Sequence, residues 1–320
     1  MKICISNLVY GDSYTIIFLD YHLKSVIENV RSNVVIENSY YLIFTDGKNI
    51  DLIKRHPNFQ FLQSYFSFNF LVFSENLEYN NRYSYQGIQQ QHTAKFCLEN
   101  ELLMLFSVAD LYYGPNFFKN AIEKMSLGHD AIVTHAMRVS FESVGSYLKD
   151  NSFEDSDTLF DIGFANPHPL WVASNWDSPL FSRIPYHMLW TSEQSILVRG
   201  FSLGPLVTKP QDWMLAAGGC TDITYMANLK TPYISQDWHE FPSLELGMLF
   251  SFYPPFLNRR ASPALVADWA SKNIPQENYK NLFHYMIFKK KNSPIEQPLV
   301  ERSLTIAQEI VDLLHPYHVK

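Results

Sequence analysis

From Lys2 to His135 the chain switches repeatedly between short apolar runs and stretches whose apolar residues recur at helical spacing. Lys2 to Asn7 reads as a first buried strand, followed by a turn at Tyr10-Gly11-Asp12. Ile16, Leu19, Leu23, Val26 and Ile27 then mark one face of an amphipathic helix. Ser39 to Phe44 is a second strand, closed by Thr45-Asp46-Gly47. Asp51 to Arg55 is a short helix that stops before His56-Pro57, because proline pushes the preceding residue out of helical backbone. Gln86 to Asn100 predicts a helix with Gln and His on one side. Glu101 to Ala109 is almost continuously apolar and ends at Asp110, the pattern of a central strand buried on both faces. A helix over Asn116 to Ser126 and a strand over Ala131 to His135 complete this part.

Strands that alternate with helices predict an α/β fold, with a mixed, mostly parallel sheet flanked by helices. Ligands of such sheets bind beyond the carboxyl ends of the strands. There the sequence offers Asn7, Thr45-Asp46 and Asp110. No Gly-rich dinucleotide or P-loop fingerprint follows the first strand, which weighs against a dehydrogenase or an ATPase. Asn151 to Pro210 reads as loop-rich and carries Trp171, Trp176 and Trp190, the features of a lid or binding wall. From about Tyr253 the pattern turns helical, with segments at Leu265 to Ala270, Tyr279 to Phe288 and Leu304 to Leu314. The expected division is a domain over residues 1–250 and a helical C-terminal extension over 251–320.

Composition narrows the class. In 320 residues, 47% are hydrophobic, enough for a large core. Aromatics reach 15%, which suits core packing and equally the stacking surfaces of a sugar site. The net charge of −7 gives no positive field to attract a nucleic-acid backbone. Lys289-Lys290-Lys291 is the one local cationic run, read as a solvated loop or a weak contact with anionic lipid. Cys4, Cys97 and Cys220 fit neither a disulfide framework nor a zinc spacing, so a reducing, cytoplasmic setting is expected. No signal peptide is read at the start, and the Phe59 to Phe73 stretch is too polar to span a membrane. Membrane association is therefore expected to be peripheral at most.

Several segments, in order, resemble a bacterial group assigned as glycosyltransferases of the GT-A type. They are Tyr10-Gly11-Asp12-Ser13-Tyr14 with His22-Leu23-Lys24-Ser25, Tyr41 to Thr45, and Ser107 to Tyr112. Next come His135 to Val139 with Glu142, then His168-Pro169, Trp190, Arg199-Gly200-Phe201 and Pro205-Leu206. Cys220-Thr221-Asp222, Asp237-Trp238-His239-Glu240 and Leu244-Glu245-Leu246 close the set. Tyr10 stands where that group typically has Trp. The resemblance covers about the first 250 residues. It implies a GT-A fold, a nucleotide-sugar donor, and a glycan or lipid-linked acceptor in surface-polysaccharide or glycolipid assembly.

Such a transfer needs positive charge on the diphosphate leaving group and, in an inverting enzyme, a carboxylate base for the acceptor hydroxyl. Asp110 stands where GT-A enzymes place an Asp-x-Asp metal motif. Val108 replaces the first acid, so a divalent Mg²⁺ or Mn²⁺ is expected only if other oxygen ligands join it. Asp110 equally suits a turn or helix cap. Asp237 and Glu240 are candidates for the base, with mutual repulsion raising one pKa, and an exposed acidic loop is the alternative. Asp222 is a third catalytic candidate, or a helix cap. Arg138 and Arg199 could balance diphosphate charge, or form ordinary salt bridges. His168, between two prolines, could touch diphosphate or a sugar hydroxyl, or pack within its loop. Asn7 and Asp46 are placed to meet the base and ribose. A non-catalytic carbohydrate-binding protein of the same fold and a metal-dependent sugar or phosphate ester hydrolase are the competing readings.

Overall fold

The structure, a computed structural model, describes residues 2–31, 39–73, 82–202, 205–216, 225–249 and 256–314. In chain order the strands of its largest sheet are β1 (Ile3–Val9), β2 (Ser39–Thr45), β3 (Phe66–Val72), β4 (Leu103–Val108), β6 (Ala131–Val133), β11 (Pro205–Thr208) and β12 (Tyr233–Ile234). They lie side by side as β12-β6-β11-β4-β1-β2-β3. Every pairing is parallel except the two made by β11, which runs against both β4 and β6. The expected mixed, mostly parallel sheet is therefore present.

Alternation along β1 assigns its two faces. Ile3, Ile5 and Val9 join Ile43 and Leu105 in a core covered by α2 (Leu23–Arg31) and α6 (Phe117–Ser126). Cys4, Leu42, Met104 and Phe106 face the opposite core, covered by α5 (Arg82–Glu99) through Ala94 and Cys97. The apolar run of β4 is explained by this double cover: five of its six residues are buried. Cys4 and Cys97 are buried free thiols, whereas Cys220 lies outside the described residues. Ahead of α2 the chain turns sharply at Gly11, whose φ of 75° is backbone that a side chain would strain. Its N–H donates to the Asp46 carboxylate, joining the ends of β1 and β2.

A second, three-stranded sheet begins just past the carboxyl end of β4. Its strands are β5 (Leu111–Tyr113), β13 (Ser243–Gly247) and β7 (Met137–Ser140), with β13 in the centre. A third sheet has β10 (Ser195–Gly200) between β9 (His187–Thr191) and β15 (Met286–Lys289). Phe181–Ser182 (β8) and Phe256–Leu257 (β14) form a small further pair.

Three expectations change here. The stretch from Asn151 to Pro210 is not mainly loop: it holds α8 (Ser156–Ala165), α9 (Pro169–Ser174) and four strands. Asp155 caps α8 by accepting from Thr158 N–H, and Pro169 starts α9, whose His168 caps it by accepting from Leu170 N–H. The C-terminal part has the expected helices, α10 (Pro263–Asn273) and α11 (Gln297–Leu314). However, Tyr279 to Phe288 is helical only as far as Phe283, the end of a 3-10 helix over Gln276–Phe283, and then gives way to β15. Lastly, Trp176 and Trp190 are buried and stacked on one another at 5.8 Å, where they pack the third sheet against α10 and α11. Trp171 rests edge-on against Phe288.

Arg199 anchors that junction. It is 1% exposed and donates to Ser303 Oγ and to the carbonyls of Leu282, Phe283 and Val300, with the Tyr285 ring beside it. All of these acceptors are neutral, so burial lowers its pKa to about 10. Arg199→Leu should cost about 3 kcal/mol in urea unfolding, because it strands buried carbonyls, and Arg199→Lys should recover part of it. An unchanged midpoint for Arg199→Leu would contradict this anchoring role.

Candidate active site

The apolar run of β4 delivers Asp110 to the carboxyl end of the large sheet, and the chain then turns at once into β5. Leu246 N–H donates to the Asp110 carbonyl at 2.8 Å, so the turn is tied to β13. In β13, Glu245 lies directly across from Leu111 on one side and from Arg138 of β7 on the other. Register partners share a face, and Arg138 and Glu245 form a partly buried ion pair. Two sheets thus bring together Asp110, Glu245 and Arg138 from three distant parts of the chain.

The electrostatics follow from this arrangement. Burial is the main force pushing the Asp110 carboxyl up, Glu245 adds to it, and Arg138 offsets part of it; the result is about 7. For Arg138, burial opposes the charge, but Glu245 and Asp110 outweigh it and hold the pKa above its usual value.

His168 borders this group. Its N–H donates to the Arg138 carbonyl, and Pro167 bridges to Val139, so the segment runs along the open edge of β7. The ring is fully buried, and burial followed by Arg138 lowers its pKa, which keeps it neutral near pH 7. A Cβ on Gly247 would sit 2.6 Å from the His168 ring, so only glycine lets β13 pass. Glu142 is exposed at the start of α7 (Phe141–Asp150) and accepts from Leu249 N–H.

The ends of β1 and β2 form a second polar region. Asp46 Oδ2 accepts from Gly11 N–H, while Asp46 Oδ1 and Thr45 Oγ1 are buried and have no hydrogen-bond partner among the described residues. Exposed Lys48 pairs with Asp12 at 2.8 Å and also interacts electrostatically with Asp46. Asn7 is fully buried, and its amide meets Tyr41 inside the core.

Of the residues singled out from the sequence, Asp110, Arg138 and His168 come together, with Asp46 at the neighbouring strand end. Asp237 and Glu240 do not form a repelling pair. Asp237 caps a short turn by accepting from His239 N–H. Glu240 accepts from Tyr233 and Ser235 hydroxyls at 2.6 and 2.7 Å and pairs with Lys124 at 3.1 Å. Burial alone would raise its pKa, but these partners lower it, so the expected shift toward neutrality is reversed. Arg199 lies at the C-terminal junction, with its donors turned to neutral carbonyls and a hydroxyl. Asp222 lies outside the described residues. In the lysine run, Lys290 pairs with Asp161, and Lys289 turns back onto the carbonyls of Lys290 and Lys291. Glu245 is the main addition: in the sequence it stood only within the resemblance.

At Asp110 the protein itself offers a divalent cation few ligands. Glu245 is already paired with Arg138, and among the described residues no group of three His, Cys, Asp or Glu side chains could hold a metal. Also among the described residues, no helix is long and apolar enough to cross a membrane.

No family model and no curated protein matches the chain. Among solved structures, the chain is similar to one designated a glucose-1-phosphate thymidylyltransferase, from Bacillus anthracis, in complex with sucrose. The identity is 10% and the TM-score 0.30, over 43% of this chain and 55% of that one. A likeness at this level carries no argument about family or activity.

Proposed function

We propose that the chain is a glycosyltransferase that takes a sugar from a nucleotide-sugar donor and passes it to a hydroxyl of a glycan or lipid-linked acceptor. The observation that carries this reading is Asp110, at the end of the central strand, with its carboxyl pushed up to about 7 beside Glu245 and Arg138. A carboxylate tuned near neutrality is suited to take a proton from an acceptor hydroxyl while remaining largely ionised above pH 7. The ordered sequence resemblance to GT-A glycosyltransferases supports the same class, as does a mostly parallel sheet with one reversed strand.

The roles follow from position. Asp46, whose buried Oδ1 has no hydrogen-bond partner among the described residues, and the neighbouring Thr45 suit hydroxyl or base N–H groups of the nucleoside. Lys48, which interacts with Asp46, and Arg138, which interacts with Asp110, suit the diphosphate. Glu245 holds Arg138 in place, and Asp110 acts as base. A metal-dependent hydrolase would be recognised by donor turnover that needs a divalent cation and no acceptor. A non-catalytic binding protein remains the competing outcome of the tests below.

Asp110→Asn keeps the shape and removes the base. Release of nucleoside diphosphate from a panel of nucleotide sugars, with acceptor glycans present, should fall by about 100-fold to 10,000-fold in this variant. Full activity in a folded Asp110→Asn protein would sink the assignment, and no turnover of any donor by the native protein would favour the binding protein.

The same group makes a prediction that needs no substrate. A carboxyl whose folded pKa is raised contributes stability below its unfolded value of about 3.9, and that contribution is lost as pH rises through about 7. Melting curves of the native protein should therefore lose this contribution between about pH 4 and 7. The Asp110→Asn difference should reverse in favour of the variant as pH rises. A pH-independent difference between the two would contradict the raised value.

A further inference from the structure

Beneath the Asp110 turn lies a buried polar chain that the proposed reaction does not use directly. His22 ends the π-helical segment Phe18–His22 that joins α1 (Asp12–Ile17) directly to α2, and it is 0% exposed. Its Nδ1 lies 2.5 Å from the Leu111 carbonyl, and its Nε2 lies 2.8 Å from Tyr41 Oη. Tyr41 Oη in turn lies 2.7 Å from Asn7 Oδ1, while Asn7 Nδ2 is buried with no acceptor among the described residues. The rings of Phe18 and Tyr113 enclose the imidazole, and among the described residues no charged side chain perturbs it. Its burial lowers the pKa to about 4.

Counting protons gives this chain a direction. A carbonyl oxygen only accepts, so the contact with Leu111 requires the proton on Nδ1. A neutral imidazole then has only a lone pair at Nε2, and the single Tyr41 hydroxyl proton must point there. Tyr41 therefore meets Asn7 with lone pairs alone. An Asn7 amide with Oδ1 toward Tyr41 sets two oxygens face to face without a proton and leaves an N–H₂ donor buried and unpaired, which costs more than an unpaired carbonyl. Turning the amide by half a rotation resolves both faults, since the O and N atoms have nearly the same shape.

We infer that His22 is a positioning residue, a neutral Nδ1–H imidazole that orders a one-way chain from Asn7 Nδ2–H to Tyr41 Oη–H to His22 and on to the Leu111 carbonyl. The chain holds the Asp110–Leu111 connection from below, as Leu246 N–H holds it from the side. It also leaves Asn7 Oδ1, an acceptor, in place of the buried N–H₂ donor. Only the reason for placing Asp110 so firmly rests on its proposed role as base; the proton arrangement does not.

The test uses the full chain and no ligand. Long-range ¹H–¹⁵N spectra, with the His22 signals assigned through His22→Asn, should show a neutral Nδ1–H ring from pH 7 down to about pH 5. An Nε2–H or doubly protonated ring would overturn the inference. Hydrogen exchange of the Leu246 amide, which donates to Asp110, should be at least about tenfold faster in His22→Phe and near native in His22→Asn, whose amide retains a donor close to Nδ1. Equal rates in native and His22→Phe protein would refute the positioning role. If His22→Phe does not fold, Tyr41→Phe supplies the check, because loss of its proton should shift the His22 Nε2 resonance while the Nδ1–H tautomer persists. An unmoved Nε2 signal there would overturn the chain. Failure of Asp110 as a base would leave all these outcomes unchanged, so the two readings fail separately.

Discussion

The central strand of the small sheet, Ser243–Gly247, is the element on which the site depends. It pairs with β5 on one side and β7 on the other, and through that double register it sets Glu245 between the Asp110 turn and Arg138. Neither contact could form from neighbours in sequence: Arg138 and Glu245 are 107 positions apart. The strand also has to slide past a buried imidazole, which it does at Gly247. Shifting it by one residue would turn Glu245 to the opposite face and leave Arg138 partly buried without its counter-charge.

This dependence explains which parts of the molecule could be read in the sequence. β1, β2, β4, α5 and α6 follow from local pattern, because the strands are covered on both faces and read as apolar runs, while each helix packs one side on a core. Asp110 was legible for the same reason: an unbroken apolar run that stops at an acid marks a strand end. Glu245 was not, because its importance comes from the residues across the ladder, and one-dimensional spacing does not encode register. The end of the Tyr279 to Phe288 segment departs from a helix because a short apolar run such as Met286–Phe288 fits a helix and a strand equally well. Pairing with β10 decides that Met286–Lys289 is extended. The pair Asp237 and Glu240 looked like a base and its partner, but hydroxyls and a lysine some distance away in sequence had already satisfied Glu240.

The candidate site carries a conflict between stability and readiness. A half-buried carboxyl beside another acid resists ionisation, and the Arg138 guanidinium offsets only part of that cost. The surrounding framework compensates by being rigid and largely satisfied, with buried aromatic cores on both faces of the large sheet. Residues that carry chemistry commonly sit where local energetics are unfavourable. Here the unfavourable group sits at the join of two sheets, where its backbone has little freedom to relax.

The anchoring of Arg199 bears on how the molecule is made. Its partner Ser303 is 104 residues further along the chain, so β10 cannot bury its guanidinium against neutral acceptors until that distance has been synthesised. At about 5–20 residues per second, the nascent third sheet waits roughly 5–20 s with a cationic residue and the Trp176–Trp190 stack still uncovered. During that interval the large sheet has most of its strands and can close on its own cores, whereas the third sheet cannot. Vectorial synthesis therefore favours a partly assembled intermediate whose exposed surface is the face later sealed by α10 and α11, and that face is where a folding chaperone would find its grip.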